Sequence, residues 1–124
     1  MAIKIKGLNH YAIAVLDLEK SITFYHEILG FDFLTRPDFD FKGAWFDCGN
    51  GISLHLIQDK NVIAQNSDSR KLHFAFSVFD VQQTKELLMK SGIQILKDIK
   101  PIPDGMLEMF VADPDGYLIE FTNA

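Results

Sequence analysis

Three of the four histidines and one glutamate stand where they could bind a metal ion together. His10, His55 and His73 lie in apolar, β-rich stretches, and Glu120 lies in another near the C-terminal end of the sequence. Imidazole and carboxylate are the groups with which proteins bind first-row divalent ions such as Fe, Ni, Zn or Co. A single histidine on a strand is commonly a hydrogen-bonded structural residue, so the argument depends on the four positions taken together.

An internal repeat relates two of these histidines. His10 and His73 stand apart by the same number of residues as Asp17 and Asp80. Each of these aspartates has the position of a helix N-cap, where a carboxylate accepts hydrogen bonds from free backbone N–H groups. The coincidence indicates that the chain consists of two halves with the same order of elements.

The other two candidate ligands are also equivalent in the repeat. His55 follows Gly51 at the same distance at which Glu120 follows Gly116. Both glycines belong to turns that join neighbouring strands. Each half therefore contributes one histidine from its first strand and a second ligand from its last strand.

Strand alternation places these histidines on the face with small side chains. His10 shares a face with Ala12 and Ala14, and His73 shares a face with Ala75. The bulky residues of both strands take the opposite face and are expected to pack under a helix. The histidines should then face away from the helix, as if lining a cavity.

Convergence of the four side chains would form a divalent metal site. If the two halves are related by a pseudo-two-fold axis, then His10, His55, His73 and Glu120 all point towards it. His10, His73 and Glu120 alone would be the two-histidine, one-carboxylate triad of nonheme iron enzymes. His26, on the first predicted helix, has no counterpart and is expected to be exposed.

Hydrophobic periodicity predicts a strand, a helix and three further strands in each half. In the first half the strands are 8–15, 31–35, 43–48 and 52–57, with a helix between Asp17 and Gly30. In the second they are 72–78, 93–96, 106–111 and 118–122, with a helix between Asp80 and Gly92. The polar stretch 58–71 is interpreted as a linker or surface loop. We therefore expect an α+β fold in which residues 1–124 form one domain of two modules, about 1–58 and 71–124.

Composition narrows the range of functions. Apolar residues make up 48% of the 124 residues, which is enough for a hydrophobic core. Twelve basic against 17 acidic residues give a net charge of −5, which argues against binding to nucleic acid. No apolar run is long enough for a membrane span, and the single cysteine, Cys48, rules out an internal disulfide. These features predict a cytoplasmic protein in which Cys48 is buried and inert.

Several stretches together resemble a known family. They are LNHYAIAV at 8–15, GAWF at 43–46, LHLI at 54–57, LHFAF at 72–76 and DPDGYLIEF at 113–121. The sequence resembles the vicinal oxygen chelate superfamily, which includes glyoxalases, bleomycin-resistance proteins and extradiol dioxygenases. The resemblance covers essentially the whole chain. It implies two tandem βαβββ modules whose curved mixed sheets form a cup around a divalent metal, with the ligands at His10, His55, His73 and Glu120.

The match to individual subfamilies is incomplete. Glyoxalase I commonly has an arginine at the position of Ala14 and a glutamate at that of His55. Fosfomycin-resistance transferases have a threonine at the position of Ala12. Bleomycin-binding members lack the metal ligands that are present here. The resemblance is strongest to small glyoxalase-like members, and it also implies a homodimer.

The function implied by the resemblance is that of a metal-dependent enzyme. Its substrate would be a small molecule with vicinal oxygens, bound to Fe, Ni, Zn, Co or Mn, and the ion would act as a Lewis acid that stabilises an enolate. The reaction would be of the lyase/isomerase or the dioxygenase type, with Glu120 as catalytic base. Two alternatives are a protein that binds and sequesters a drug or antibiotic without turnover, and a structural metal site.

Overall fold

A computed structural model describes residues 2–62 and 71–124, and the chain divides into two units, Met1–Val62 and Ile63–Ala124. Each unit has one four-stranded mixed sheet and one helical segment. The expected α+β fold with two tandem modules is therefore confirmed. We call the units the N-terminal and the C-terminal module.

The N-terminal module follows the predicted order of elements. Its elements are β1 (His10–Val15), α1 (Leu18–Ile22), a π-helical continuation (Thr23–Ile28), β2 (Asp32–Phe33), β3 (Gly43–Asp47) and β4 (Ser53–Gln58). In the sheet, with strand order β1-β4-β3-β2, β1 and β4 are parallel and the other pairs are antiparallel. Asp17 caps α1 as predicted, because its carboxylate accepts a hydrogen bond from the Lys20 backbone N–H.

The C-terminal module repeats this topology. Its elements are β5 (Phe74–Ser77), α2 (Val81–Lys90), β6 (Lys97–Pro101), β7 (Leu107–Ala112) and β8 (Leu118–Thr122). The strand order is β5-β8-β7-β6, again with one parallel pair, β5 and β8. Asp80 caps α2 by accepting from the Gln83 backbone N–H. Equivalent strands thus have the same neighbours in both modules.

The predicted strand at 93–96 is wrong, since β6 covers Lys97–Pro101 instead. Residues after α2 complete the end of the helix: Gly92 adopts a φ of 79°, and the Ile93 N–H donates to the Leu88 carbonyl. These are features of a Schellman C-cap, which uses an apolar residue after the glycine. The apolar character of this stretch therefore reflects capping, and pairing with β7 begins only at Leu96, whose N–H donates to Phe110.

Two other expectations need correction in the N-terminal module. His26 is half-buried and not exposed, because its Nδ1 lies 2.7 Å from the Phe31 carbonyl oxygen and its ring 4.4 Å from that of Phe33. The linker predicted over 58–71 begins later, since β4 includes Gln58. Residues 63–70 of that linker lie outside the described residues.

Burial confirms the predicted orientation of the bulky residues in β1. Ile13 and Val15 are buried, whereas His10 and Ala12 on the alternate face are exposed. The buried side chains on the same side of this sheet come from the helical segment, β3 and β4: Phe24, Tyr25, Ala44, Phe46, Leu54 and Leu56. Burial of side chains of this size is the main stabilising contribution to such a module. The opposite face of the sheet remains available for chemistry.

No helix in the described parts of the chain is long and apolar enough to cross a membrane.

Candidate functional site

His10 and His55 lie side by side on the open face of the N-terminal sheet. Ala12 in β1 pairs with His55 in β4, and His10 stands two residues before Ala12 on the same face. The two imidazole rings stack, with centroids 4.1 Å apart and planes 8° from parallel. This module therefore places two imidazoles within reach of one another.

Trp45 covers the other face of His55. The two residues are partners across β3 and β4, and their rings stack at 4.0 Å with an interplanar angle of 7°. Trp45 belongs to the GAWF stretch at 43–46. In the structure, three rings, those of His10, His55 and Trp45, form a continuous stack.

Hydrogen bonds fix the orientation of both imidazoles. The Nδ1 of His10 lies 2.7 Å from the side-chain oxygen of Asn9, which can only accept, so Nδ1 carries the proton. The Nε2 of His10 is then the ring nitrogen left to bind a metal. His55 Nε2 lies 2.9 Å from the Ser53 hydroxyl. A histidine held by one ring nitrogen and free at the other is typical of a metal ligand.

The surroundings of His55 favour its neutral form. Its pKa is lowered mainly by burial, which disfavours the charged imidazolium, and further by the nearby His10 and Arg36. A neutral imidazole is required for metal binding because the ion must replace the proton.

His73 and Glu120 form the corresponding pair in the C-terminal module. Ala75 in β5 pairs with Glu120 in β8, and His73 stands two residues before Ala75. The Nε2 of His73 lies 3.1 Å from the Oε1 of Glu120. Phe110, the partner of Glu120 on β7, contacts the His73 ring edge-on at 5.5 Å.

The two pairs occupy the same position in the two sheets. His55 in β4 lies between Ala12 of β1 and Trp45 of β3, and Glu120 in β8 lies between Ala75 of β5 and Phe110 of β7. Within neither module do the described residues bring together three or more His, Cys, Asp or Glu side chains. Each module by itself thus supplies a pair of donors.

Arg36 is a functional candidate that the sequence analysis did not identify. Its guanidinium carbon lies 5.0 Å from the Phe39 ring centre and 4.9 Å from that of Phe41. Its Nη2 donates to the Phe41 carbonyl oxygen at 2.8 Å. An arginine followed by two phenylalanines within five residues was the available signal, since guanidinium groups stack on aromatic faces.

Gly43 gives Arg36 its place against the sheet. A Cβ at position 43 would lie 2.3 Å from the Leu56 carbonyl oxygen and 3.1 Å from Nη2 of Arg36. By strand alternation, Gly43 shares its face of β3 with Trp45. The guanidinium therefore lies on the same face as the ring stack.

Replacing Gly43 with alanine is expected to destabilise the protein by about 1–3 kcal/mol, because β3 and β4 or the arginine must shift to relieve the contact. Urea denaturation followed by far-ultraviolet circular dichroism would measure the change. Ala12→Ser is a suitable control, since it adds one atom at an exposed position on the same face of the sheet. An unchanged midpoint for Gly43→Ala would contradict the expectation.

Cys48 is half-buried and not fully buried as predicted, and it is expected to react slowly with thiol reagents. Burial, together with the nearby negative charge of Asp47, raises the pKa of the Cys48 thiol from 9.0 to about 11. The thiolate is the reactive form, so its fraction near neutral pH should be about 100-fold smaller than for a thiol of ordinary pKa. The rate of reaction with a disulfide reagent should keep rising with pH beyond about pH 9. A rate that levels off below that pH would contradict the prediction.

Comparison with known proteins identifies relatives over nearly the whole chain. Metallothiol transferase FosB from Bacillus licheniformis is 32% identical over 119 residues, covering 94% of this chain and 75% of that protein. Lactoylglutathione lyase from Haemophilus influenzae is 31% identical over 119 residues, covering 90% of this chain and 88% of that protein. Two relatives named for different activities thus match this chain over most of its length.

Solved structures agree with this relationship. The crystal structure of a glyoxalase family protein from Bacillus anthracis matches with a TM-score of 0.82 and 29% identity over 98% of both chains. The fosfomycin resistance protein FosX from Listeria monocytogenes has the same fold, with a TM-score of 0.81 at 20% identity. Residues 7–121 match the sequence model of one superfamily along their whole length. The chain belongs to the glyoxalase/bleomycin resistance protein/dioxygenase superfamily.

Proposed function

We propose that this protein is a metal-dependent enzyme that acts on a small molecule with vicinal oxygens. The observation that carries the proposal is the matched placement of His10 with His55 and of His73 with Glu120. The two pairs would together bind one divalent ion. Both modules could come from one chain, or one from each chain of a homodimer.

The chemistry of the donors fits such an ion. The Nδ1–H of His10 donates to Asn9, which leaves Nε2 as the ring nitrogen for the metal. The pKa of His55 is lowered by burial, which favours the neutral form that binds metals. Three imidazoles with one carboxylate suit Fe, Ni, Zn, Co or Mn. When bound, the ion would supply a Lewis acid that stabilises negative charge developing on substrate oxygens.

The residues of the chain would provide orientation and proton transfer. Glu120, next to His73, would accept a proton from the substrate at its free carboxylate oxygen and return it at a neighbouring atom. The ring of Trp45 would keep water from one side of His55 and offer the substrate an apolar wall. Lyase or isomerase chemistry requires only such a base and a stabilised anion.

The named relatives support lyase or thiol-transfer chemistry more than oxygenation. Two of them are called metallothiol transferase and lactoylglutathione lyase, and a third, from Serratia marcescens, is called glutathione transferase FosA. We propose a small-molecule substrate for this chain as well, with a location in the cytoplasm. A thiol co-substrate is then the first to test.

Metal titration of tag-free protein tests the proposal. Trp45 is the only tryptophan, and it stacks on His55, so Co²⁺ or Ni²⁺ bound there should quench its fluorescence. We expect saturation at one ion per chain and, with the metal restored to stripped protein, turnover of the adduct of methylglyoxal with glutathione or of another vicinal-oxygen compound. The absence of saturable metal binding would reject the proposal.

The alternative, a binding protein that sequesters a small molecule, makes a different prediction. A compound that raises the melting temperature but is recovered unchanged after prolonged incubation with metal-loaded protein would favour it. Any metal-dependent product would favour the enzyme.

A further inference from the structure

Among residues 2–62 and 71–124, no carboxylate forms an ion pair with the positively charged Arg36. Its Nε is buried and has no hydrogen-bond partner within the described residues. Within the described residues, the guanidinium contacts one backbone carbonyl, that of Phe41, and two aromatic rings, those of Phe39 and Phe41. A guanidinium has five N–H donors, so most of its donors have no acceptor in the described part of the chain.

This arrangement is costly for the protein alone. A buried N–H group without a partner loses its hydrogen bonds to water and gains none in return, and the cost is larger when the group is charged. Acidic residues are close in sequence, since Asp38 and Asp40 flank Phe39, yet neither forms a recorded ion pair with Arg36. In the part of the chain that the structure describes, Arg36 thus keeps N–H donors without an acceptor, although the net charge of the chain is −5.

The location of Arg36 connects it with the ring stack. Gly43, on whose bare Cα the guanidinium lies, is two residues from Trp45 on the same face of β3. Trp45 in turn stacks on His55. A substrate bound beside His55 and Trp45 would therefore lie on the sheet face that also carries the Arg36 guanidinium.

We propose that Arg36 binds an oxyanion group of the substrate, a carboxylate or a phosphonate, next to the His10–His55 pair. This inference deepens the proposed function, on which it rests, by assigning the substrate an anionic group in addition to its vicinal oxygens. Planar oxyanions and phosphonates accept two parallel N–H bonds from a guanidinium, which would satisfy its free donors.

Titration with methylphosphonate, and separately with acetate, tests this assignment in full-length protein. The buried Nε–H of Arg36 should give its own signal in ¹H–¹⁵N spectra, and this signal should shift saturably as the anion binds. Trp45 fluorescence gives a second readout. Arg36→Gln should weaken binding about ten-fold or more, while Arg36→Lys, which keeps the charge but not the paired donors, should lose an intermediate amount.

Lys42→Gln is the matched control, because it removes the same charge from an exposed side chain near Arg36 in sequence. It should change affinity by less than about two-fold, as expected for a screened surface charge. Equal weakening by Arg36→Gln and Lys42→Gln, or no saturable shift of the Nε–H signal with either anion, would overturn the assignment. The preference between the two anions identifies which oxyanion the substrate carries.

The outcome is separable from that of the proposed function. Metal titration of Arg36→Gln should give the wild-type affinity, since the variant keeps all four metal-binding side chains. Normal metal binding with no anion binding would reject the role of Arg36 alone. Anion binding without any metal binding would instead reject the metal-dependent function and leave the oxyanion site. Should Arg36→Gln fail to fold, the wild-type Nε–H signal and Arg36→Lys still decide the question.

Discussion

His10→Ala, His55→Ala and His73→Ala are each expected to lower the affinity for a divalent ion by on the order of 100-fold or more. Loss of a residue that only supports a ligand commonly costs 10–100-fold, and loss of the ligand itself should cost at least as much. Metal-dependent turnover should become undetectable at metal concentrations that saturate the wild type. Equilibrium dialysis with metal analysis measures affinity for every variant, including His55→Ala, in which the contact between Trp45 and His55 is lost.

Glu120→Gln distinguishes the charge of this residue from its shape. The amide is nearly isosteric, so the sheet around Phe110 and Ala75 should keep its structure. A carboxylate that both binds the ion and moves a proton should lose both functions, giving weaker metal binding and loss of turnover that extra metal does not restore. Restoration of full turnover by high metal would limit Glu120 to a ligand role.

His26→Ala is the matched control for the histidine variants. This residue lies in the helical segment, where its Nδ1 is bonded to the Phe31 carbonyl oxygen. Its loss should lower stability slightly and leave metal affinity unchanged. If His26→Ala and His10→Ala weakened metal binding equally, the assignment of the two pairs would be wrong. If all four pair variants bound metal as the wild type does, the metal-dependent function would be rejected.

The repeat and the strand alternation were sufficient to predict the faces of the sheets. The face on which His10 and Ala12 lie could be predicted from the alternation of side chains along a strand and from the bulk of Ile13 and Val15. Since the bulky residues take the buried face, the residues between them point away from the core. The register that pairs Ala12 with His55 and Ala75 with Glu120 follows from two similar modules. Strand alternation and an internal repeat can be recognised in a single sequence, without knowing which strands pair.

Other features depend on interactions that have no period. The strand β6 is polar, and the apolar residues before it complete the cap of α2, so hydrophobicity predicted the strand too early. The orientation of Arg36 depends on two ring faces and on the missing side chain of Gly43, which belongs to another strand. Contacts between a loop and a distant strand cannot be predicted from the composition of either.

Asn9→Ala is expected to lower metal affinity about 10–100-fold without unfolding the protein. The side chain of Asn9 accepts from His10 Nδ1–H at 2.7 Å, which holds the tautomer with a free Nε2. The backbone carbonyl of Asn9 accepts from the Ser53 N–H, and this bond is unaffected by the substitution. Since the side chain is exposed, its removal should not disturb the core. The defect should therefore lie in the orientation of one imidazole.

Nitrogen chemical shifts of the His10 ring provide the readout that a merely structural role would leave unchanged. In the wild type, the metal-free protein should show the tautomer protonated at Nδ1, and Asn9→Ala should show a mixture of the two tautomers. Asn9→Asp keeps an acceptor at this position and should restore both the tautomer and the affinity. Asn61→Ala, which removes an exposed amide elsewhere in the same module, should change neither. If Asn9→Ala kept the single tautomer and the wild-type affinity, His10 would not depend on Asn9 for its orientation, and packing against His55 would be the interaction that holds it.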